Sequence, residues 1–92
     1  MKISDKYMIC EIVGETYIVP RDFDKKDMSK VKKLTESATE ILQEVVRGVD
    51  SLEQLQRRIC DSYEPDDSER GAIEQSVAVF VKQCMQEGYL YG

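Results

Sequence analysis

The period of the apolar residues changes once along this chain, and that change limits the fold more than any other feature. Residues 7–19, YMICEIVGETYIV, are rich in β-branched and aromatic types, which suit a pleated, half-buried strand. From Ala38 onward the apolar residues recur at i, i+3 and i+4, the spacing of one helix face. A sheet must therefore precede a helical half. Gly14 sits midway in the first segment, and glycine at the first central position of a tight turn suits a II′-like hairpin over Gly14-Glu15. The reading is strands at about 6–13 and 16–20. Met8, Cys10 and Ile12 share one face, and Tyr7, Ile9 and Val13 the other. Pro20 cannot donate to a ladder and ends the second strand.

Residues 21–29, RDFDKKDMS, are charged and aperiodic and read as a loop. Residues 30–34, KVKKL, stand before a helix start and read as a third strand. Ala38, Ile41, Leu42, Val45 and Val46 mark the first helix, capped by Thr35 or by a Ser37/Glu40 box, with Gly48 at its end. Ser51 with Gln54 opens the second helix, whose buried stripe is Leu52, Leu55 and Ile59. Pro65 ends that pattern, because the residue before proline avoids helical angles. A third helix starts within 66–68, runs to Glu87 on the stripe Ile73, Val77, Phe80 and Cys84, and stops at Gly88. Tyr89-Leu90-Tyr91 can then fold back on the core. The expected fold is α+β: a three-stranded antiparallel sheet followed by three helices, winged helix-turn-helix-like, as one domain over residues 1–92.

Composition excludes several functions. There is no histidine, and Cys10, Cys60 and Cys84 are far apart with no C-x-x-C, which removes most zinc and iron sites and every His-dependent triad. The cysteines fall in apolar patterns and read as small hydrophobes. The formal net charge of −5 disfavours a nucleic-acid partner, which wants a basic face. Winged-helix nucleic-acid binding or transcriptional regulation stays as the alternative function. No apolar run approaches the roughly 20 residues of a membrane span, and the charged N-terminus lacks a signal core, so a cytoplasmic protein with no membrane partner is expected. The acidic stretches at 22–27 and 64–69 lack a clustered third ligand, so neither metal nor cofactor is expected.

The ordered elements resemble a known family. Leu34-Thr35-Glu36-Ser37-Ala38-Thr39-Glu40-Ile41-Leu42 is similar to the L-N-E-T-G-x-x-I-W segment of PqqD-like proteins, named for their role in pyrroloquinoline quinone synthesis. Ser51-Leu52-Glu53-Gln54-Leu55 resembles the start of that family's second helix. Asp61-Ser62-Tyr63 with Pro65 and Asp66 resembles its inter-helix link, and Gln86-Glu87-Gly88-Tyr89-Leu90 its closing G-x-L signature. Thr35 stands where the family usually has Asn, Ala38 where Gly is frequent, and Leu42 where Trp is frequent. The resemblance implies a non-catalytic module that binds the leader region of a ribosomally made precursor peptide by strand addition. It also implies presentation of that peptide to a modifying enzyme, often a radical SAM enzyme.

An edge strand offers unpaired N–H and C=O groups that a peptide can satisfy. The candidate edge is Lys30, Val31, Lys32, Lys33 and Leu34, whose lysines attract acidic leader residues and also guard the edge. Given the implied groove, the flank of the third helix with Glu74, Ala78, Val81 and Met85 is the candidate second wall. That flank also reads as a wide core stripe, and Ala72, Ser76 and Val79 form a weaker wall opposite. The chain is expected to be a monomer, or a dimer exchanging strands through the open edge.

Overall fold

The computed structural model describes residues 1–22 and 31–92. The expected loop at 21–29 lies outside the described residues from position 23 on, as does Lys30. The strands are β1 (Lys2–Ile3), β2 (Tyr7–Ile12), β3 (Glu15–Pro20), β4 (Lys32–Leu34) and, at the end of the chain, β5 (Leu90–Tyr91). The helices α1 (Glu36–Val46), α2 (Leu52–Tyr63) and α3 (Asp67–Glu87) stand between β4 and β5. β2, β3 and β4 form the antiparallel sheet in that order, so the α+β fold read from the period change is the one observed. A second, two-stranded sheet joins the chain ends, pairing Lys2 with Tyr91 and Ile3 with Leu90.

The hairpin turn differs from the expectation. Ile12 pairs with Glu15, so the two-residue loop is Val13-Gly14, with φ of 52° and 76°. Two positive φ values make a type I′ turn, whose twist matches the flanking strands. Gly14 takes that conformation freely, whereas Val13 is β-branched and 96 % exposed there. The shift keeps the face assignment of Tyr7 and Ile9, which pack on the core. It removes Val13 from that face.

Local chemistry sets the helix ends. The Thr35 hydroxyl accepts from the Ala38 N–H at 3.2 Å, so Thr35, not Ser37, caps α1. Ser51 accepts from Gln54 N–H at 3.2 Å, and Asp66 accepts from Glu69 N–H at 3.0 Å. Each satisfies one donor that a helix start leaves open. Gly88, at φ 83°, closes α3, and the following Tyr89 N–H reaches Cys84 C=O at 2.8 Å.

The core gathers Ile18 and Leu34 from the sheet, Ile41, Leu42 and Val45 from α1, Leu55 and Ile59 from α2, Val77, Val81 and Cys84 from α3, and Leu90. Leu90 is buried, as the fold-back of the C-terminus predicts. Leu52 is a correction: it occupies the first turn of α2 beyond the rim of the core and is exposed.

Candidate functional site

Backbone parity decides what the sheet offers a partner. The type I′ turn ties Ile12 to Glu15 as a hydrogen-bonded pair, and such pairs alternate along an antiparallel ladder. Tyr17 and Val19 therefore turn their backbone groups toward β2, and Thr16 and Ile18 turn theirs toward β4. β4 pairs Leu34 with Thr16, Lys33 with Tyr17 and Lys32 with Ile18. Lys32 and Leu34 are thus committed to β3, and Lys33 alone in this strand directs both N–H and C=O away from the sheet.

The side chains alternate the other way. Leu34 is buried in the core, and Lys32 on the same face reaches over to α3. Its Nζ lies 3.2 Å from Glu87 Oε2 and 5.8 Å from the centre of the Tyr89 ring, which packs edge-on against Tyr7. On the opposite face Lys33 Nζ donates to Glu15 Oε1 at 2.7 Å, while the Tyr17 hydroxyl donates to Glu15 Oε2 at 2.9 Å. These bonds, Lys33 first, hold the Glu15 carboxyl below the usual glutamate range and raise Lys33 and Tyr17. Both β4 lysines are exposed, so these pairs are exchangeable surface contacts. Val31, just before the strand, is half-buried.

The other proposed wall lies elsewhere. Glu74 C=O accepts from Gln56 Nε2 of α2 at 2.8 Å, which turns that flank of α3 toward α2. Val81 is 5 % exposed and belongs to the core. Ala78, Val81 and Met85 face a hollow of about 650 Å³ shared with Met1, Leu52 and Gly92, at the chain ends. That hollow has no β4 residue in its lining, although Val81 shares the core with Leu34 of β4. At about 100° per residue, Glu87 lies roughly 60° to one side of Cys84, and Phe80, Ser76 and Gln83 lie on that same side. Glu87, at the end of α3, is the residue of this flank that reaches β4, through its pair with Lys32.

The Ser76 side also has room. Ala72, Ser76, Val79, Phe80 and Gln83 line a hollow of about 450 Å³. Ala72 and Ser76 also border an apolar pocket of about 330 Å³ with Ile41, Ile59, Tyr63 and Ile73. Tyr63 stands at this pocket with the Glu40 carboxylate beside it, which raises the Tyr63 pKa. Ser76 and Val79 stood on the weaker flank in the sequence, and Phe80 stood within the core stripe. Glu87 is the signal that identifies their side, since it is the acid on α3 that answers Lys32.

Burial, opposed by Lys32, pushes the Cys84 thiol up to about 11, and Cys60 is buried. Among the described residues no group of His, Cys, Asp and Glu could hold a metal ion, and no helix is long and apolar enough to cross a membrane.

No family model and no curated protein matches this sequence. A solved structure, TbiB1 in complex with the TbiA(beta) leader peptide, matches over 100 % of this chain and 96 % of that one, with a TM-score of 0.76. Identity across the match is 22 %, so what the two chains share is the fold.

Proposed function

We propose that this chain is a non-catalytic peptide-binding domain that takes the leader region of a ribosomally made precursor peptide as an added strand on β4 and presents it to a separate modifying enzyme. The observation that carries the reading is the whole-length likeness to TbiB1, a protein solved with a leader peptide. The outward N–H and C=O of Lys33 support it, since strand addition needs such groups. One residue supplies few ladder bonds, so side-chain contacts must add to the affinity. The contacts proposed are Val31, Lys32, Lys33 and Leu34 on the strand side and Ser76, Phe80 and Gln83 on α3. An apolar leader residue would occupy the hollow lined by Phe80 and Val79. The partner class the family resemblance suggests is a radical SAM enzyme, and the setting proposed is the cytoplasm.

The test is calorimetric and NMR titration with the leader of a short precursor encoded beside this chain. Saturable heat with amide shifts over residues 31–34 and 76–87 is expected. No heat and no shifts in those two segments would remove the reading.

A further inference from the structure

The sheet has a second open edge. Among the described residues β2 pairs with β3 alone. It is six residues long, twice the length of β4, and contains neither lysine nor proline. Edge strands of monomeric proteins are ordinarily blunted by such residues, by bulges or by a covering element. Met8 is 39 % exposed and Ile12 52 % exposed on its outer face. Beside it a hollow of about 560 Å³ is lined by Tyr7, Ile9 and Val46 together with Asp5, Arg21 and Arg47, the last paired with Glu44 at 2.8 Å.

Parity names the free groups. Cys10 and Met8 turn their backbone toward β3, and Arg21 N–H reaching Lys6 C=O at 2.8 Å continues that inward series. Tyr7, Ile9 and Glu11 point outward, and the Tyr7 N–H is already taken by Ser4 C=O at 3.1 Å. Among the described residues, Ile9 and Glu11 are left with two donors and two acceptors.

We propose that β2 pairs with β2 of a second copy about a two-fold axis at Cys10, joining the two sheets into one of six strands. Antiparallel pairing about Cys10 sets Ile9 opposite Glu11 twice over, which satisfies all four free groups. On the outer face it sets Met8 of each copy against Ile12 of the other. On the inner face it brings each Glu11 carboxylate across the other copy's Ile9, over the hollow that holds Arg21 and Arg47. Backbone and apolar groups are thus complementary to themselves, as an isologous interface requires, and Arg21 is the cation nearest to answer Glu11. A single strand pair buries less than the roughly 1,600 Å² of a standard stable interface, so the dimer is weak and concentration-dependent. Both β4 edges stay at the outside of the six-stranded sheet, so this inference does not rest on the peptide reading.

The test is sedimentation equilibrium of the whole chain under reducing conditions from about 10 µM to about 1 mM, the range in which a small interface associates. Dimer at the upper end is expected. Diamide should trap it as a disulfide dimer that Cys10→Ser abolishes, because Cys60 and Cys84 are buried. Glu11→Pro removes an outward N–H that β3 does not use and should leave a folded monomer. Met8→Lys, at an exposed position, is the second variant and should weaken association roughly tenfold by setting a charge against Ile12. A chain that stays monomeric at the highest concentration overturns the proposal. So does a dimer that ignores both variants or crosslinks without Cys10. Leader titration of Glu11→Pro should match that of the unmodified chain, which separates failure here from failure at β4.

Discussion

The two edges of the three-stranded sheet differ in length, in charge and in what stands beside them. β4 is three residues long, carries Lys32 and Lys33, and has Glu87 of α3 within reach of Lys32. β2 is six residues long, carries one charge, Glu11, and leaves Met8 and Ile12 in water. A strand added to the short edge would gain few backbone bonds, so the proposed reading needs α3 as a second wall. The long edge has the bonds and lacks the wall. A sheet edge becomes selective when the ladder is too short to suffice, because side chains then decide which strand stays. A longer, plainer edge accepts any strand of matching parity, and in the proposed dimer a second copy of the same chain supplies one.

The largest expected effect comes from the one residue that opens β4. Lys33→Pro removes the outward N–H and leaves the Lys32 and Leu34 bonds to β3 in place, a position where an edge strand tolerates proline. Leader affinity should fall by about a hundredfold, roughly 2.7 kcal/mol, with the NMR spectrum of the helices unchanged. Retained affinity would mean that the peptide does not add to β4. The same substitution at Glu11 should not touch leader binding, and that crossed result would break the distinction between the edges if it failed.

Charge is the next difference. Lys32→Glu with Lys33→Glu should weaken an acidic leader about tenfold and flatten the salt dependence of its binding, whereas the fold should change little because both lysines are exposed. Unchanged affinity would assign the lysines to edge protection alone. The hairpin between the edges gives a smaller effect. Val13 holds φ of 52° with a β-branched side chain, and Val13→Asn should raise stability by about 1 kcal/mol, read from denaturant midpoints, because Asn-Gly suits a type I′ turn.

The fold was legible where a local rule had no competitor. Thr35, Ser51, Asp66 and Gly88 mark helix ends through bonds made within a few residues, and Leu55, Ile59 and Val77 follow from spacing. The turn was half legible: Gly14 marks the place, but one glycine serves either position of a two-residue loop, and the strand lengths decided for Val13-Gly14. The β1–β5 pairing was not legible, since two-residue strands at opposite ends of the chain leave no periodic signal. That β4 is an edge was legible because lysines on a short strand mark one. Which flank of α3 stands nearer that edge was not. A helical period identifies the stripe that faces inward, but the two flanks of that stripe are equivalent until the neighbours are placed. Val81 and Met85 look as suitable for a groove as Phe80 and Gln83, and only the Lys32–Glu87 pair favours the second flank in the proposed reading.

The smallest effect probes the peptide edge from its far side. Glu15 accepts from Lys33 and Tyr17, and those bonds lower its pKa from the ordinary glutamate value. The unfolded chain binds this proton at higher pH than the folded one does. The contribution of Glu15 is therefore present above the ordinary glutamate range and lost as pH falls through the lowered folded value. Asp66, lowered by the Ser68 hydroxyl and then the Glu69 N–H, acts with the same sign. Both groups are fully exposed, so the loss of stability in acid should be slight and further reduced by salt. The carboxyl-carbon titration of Glu15 is the sharper measurement. If a leader carboxylate takes Lys33, Glu15 gives up its principal partner, and its midpoint should rise toward the ordinary value when peptide is added. A leader that binds while the Glu15 midpoint stays low would leave Lys33 in its native pair and move the acid-reading role to Lys32, whose partner Glu87 sits on the wall that β4 shares with α3.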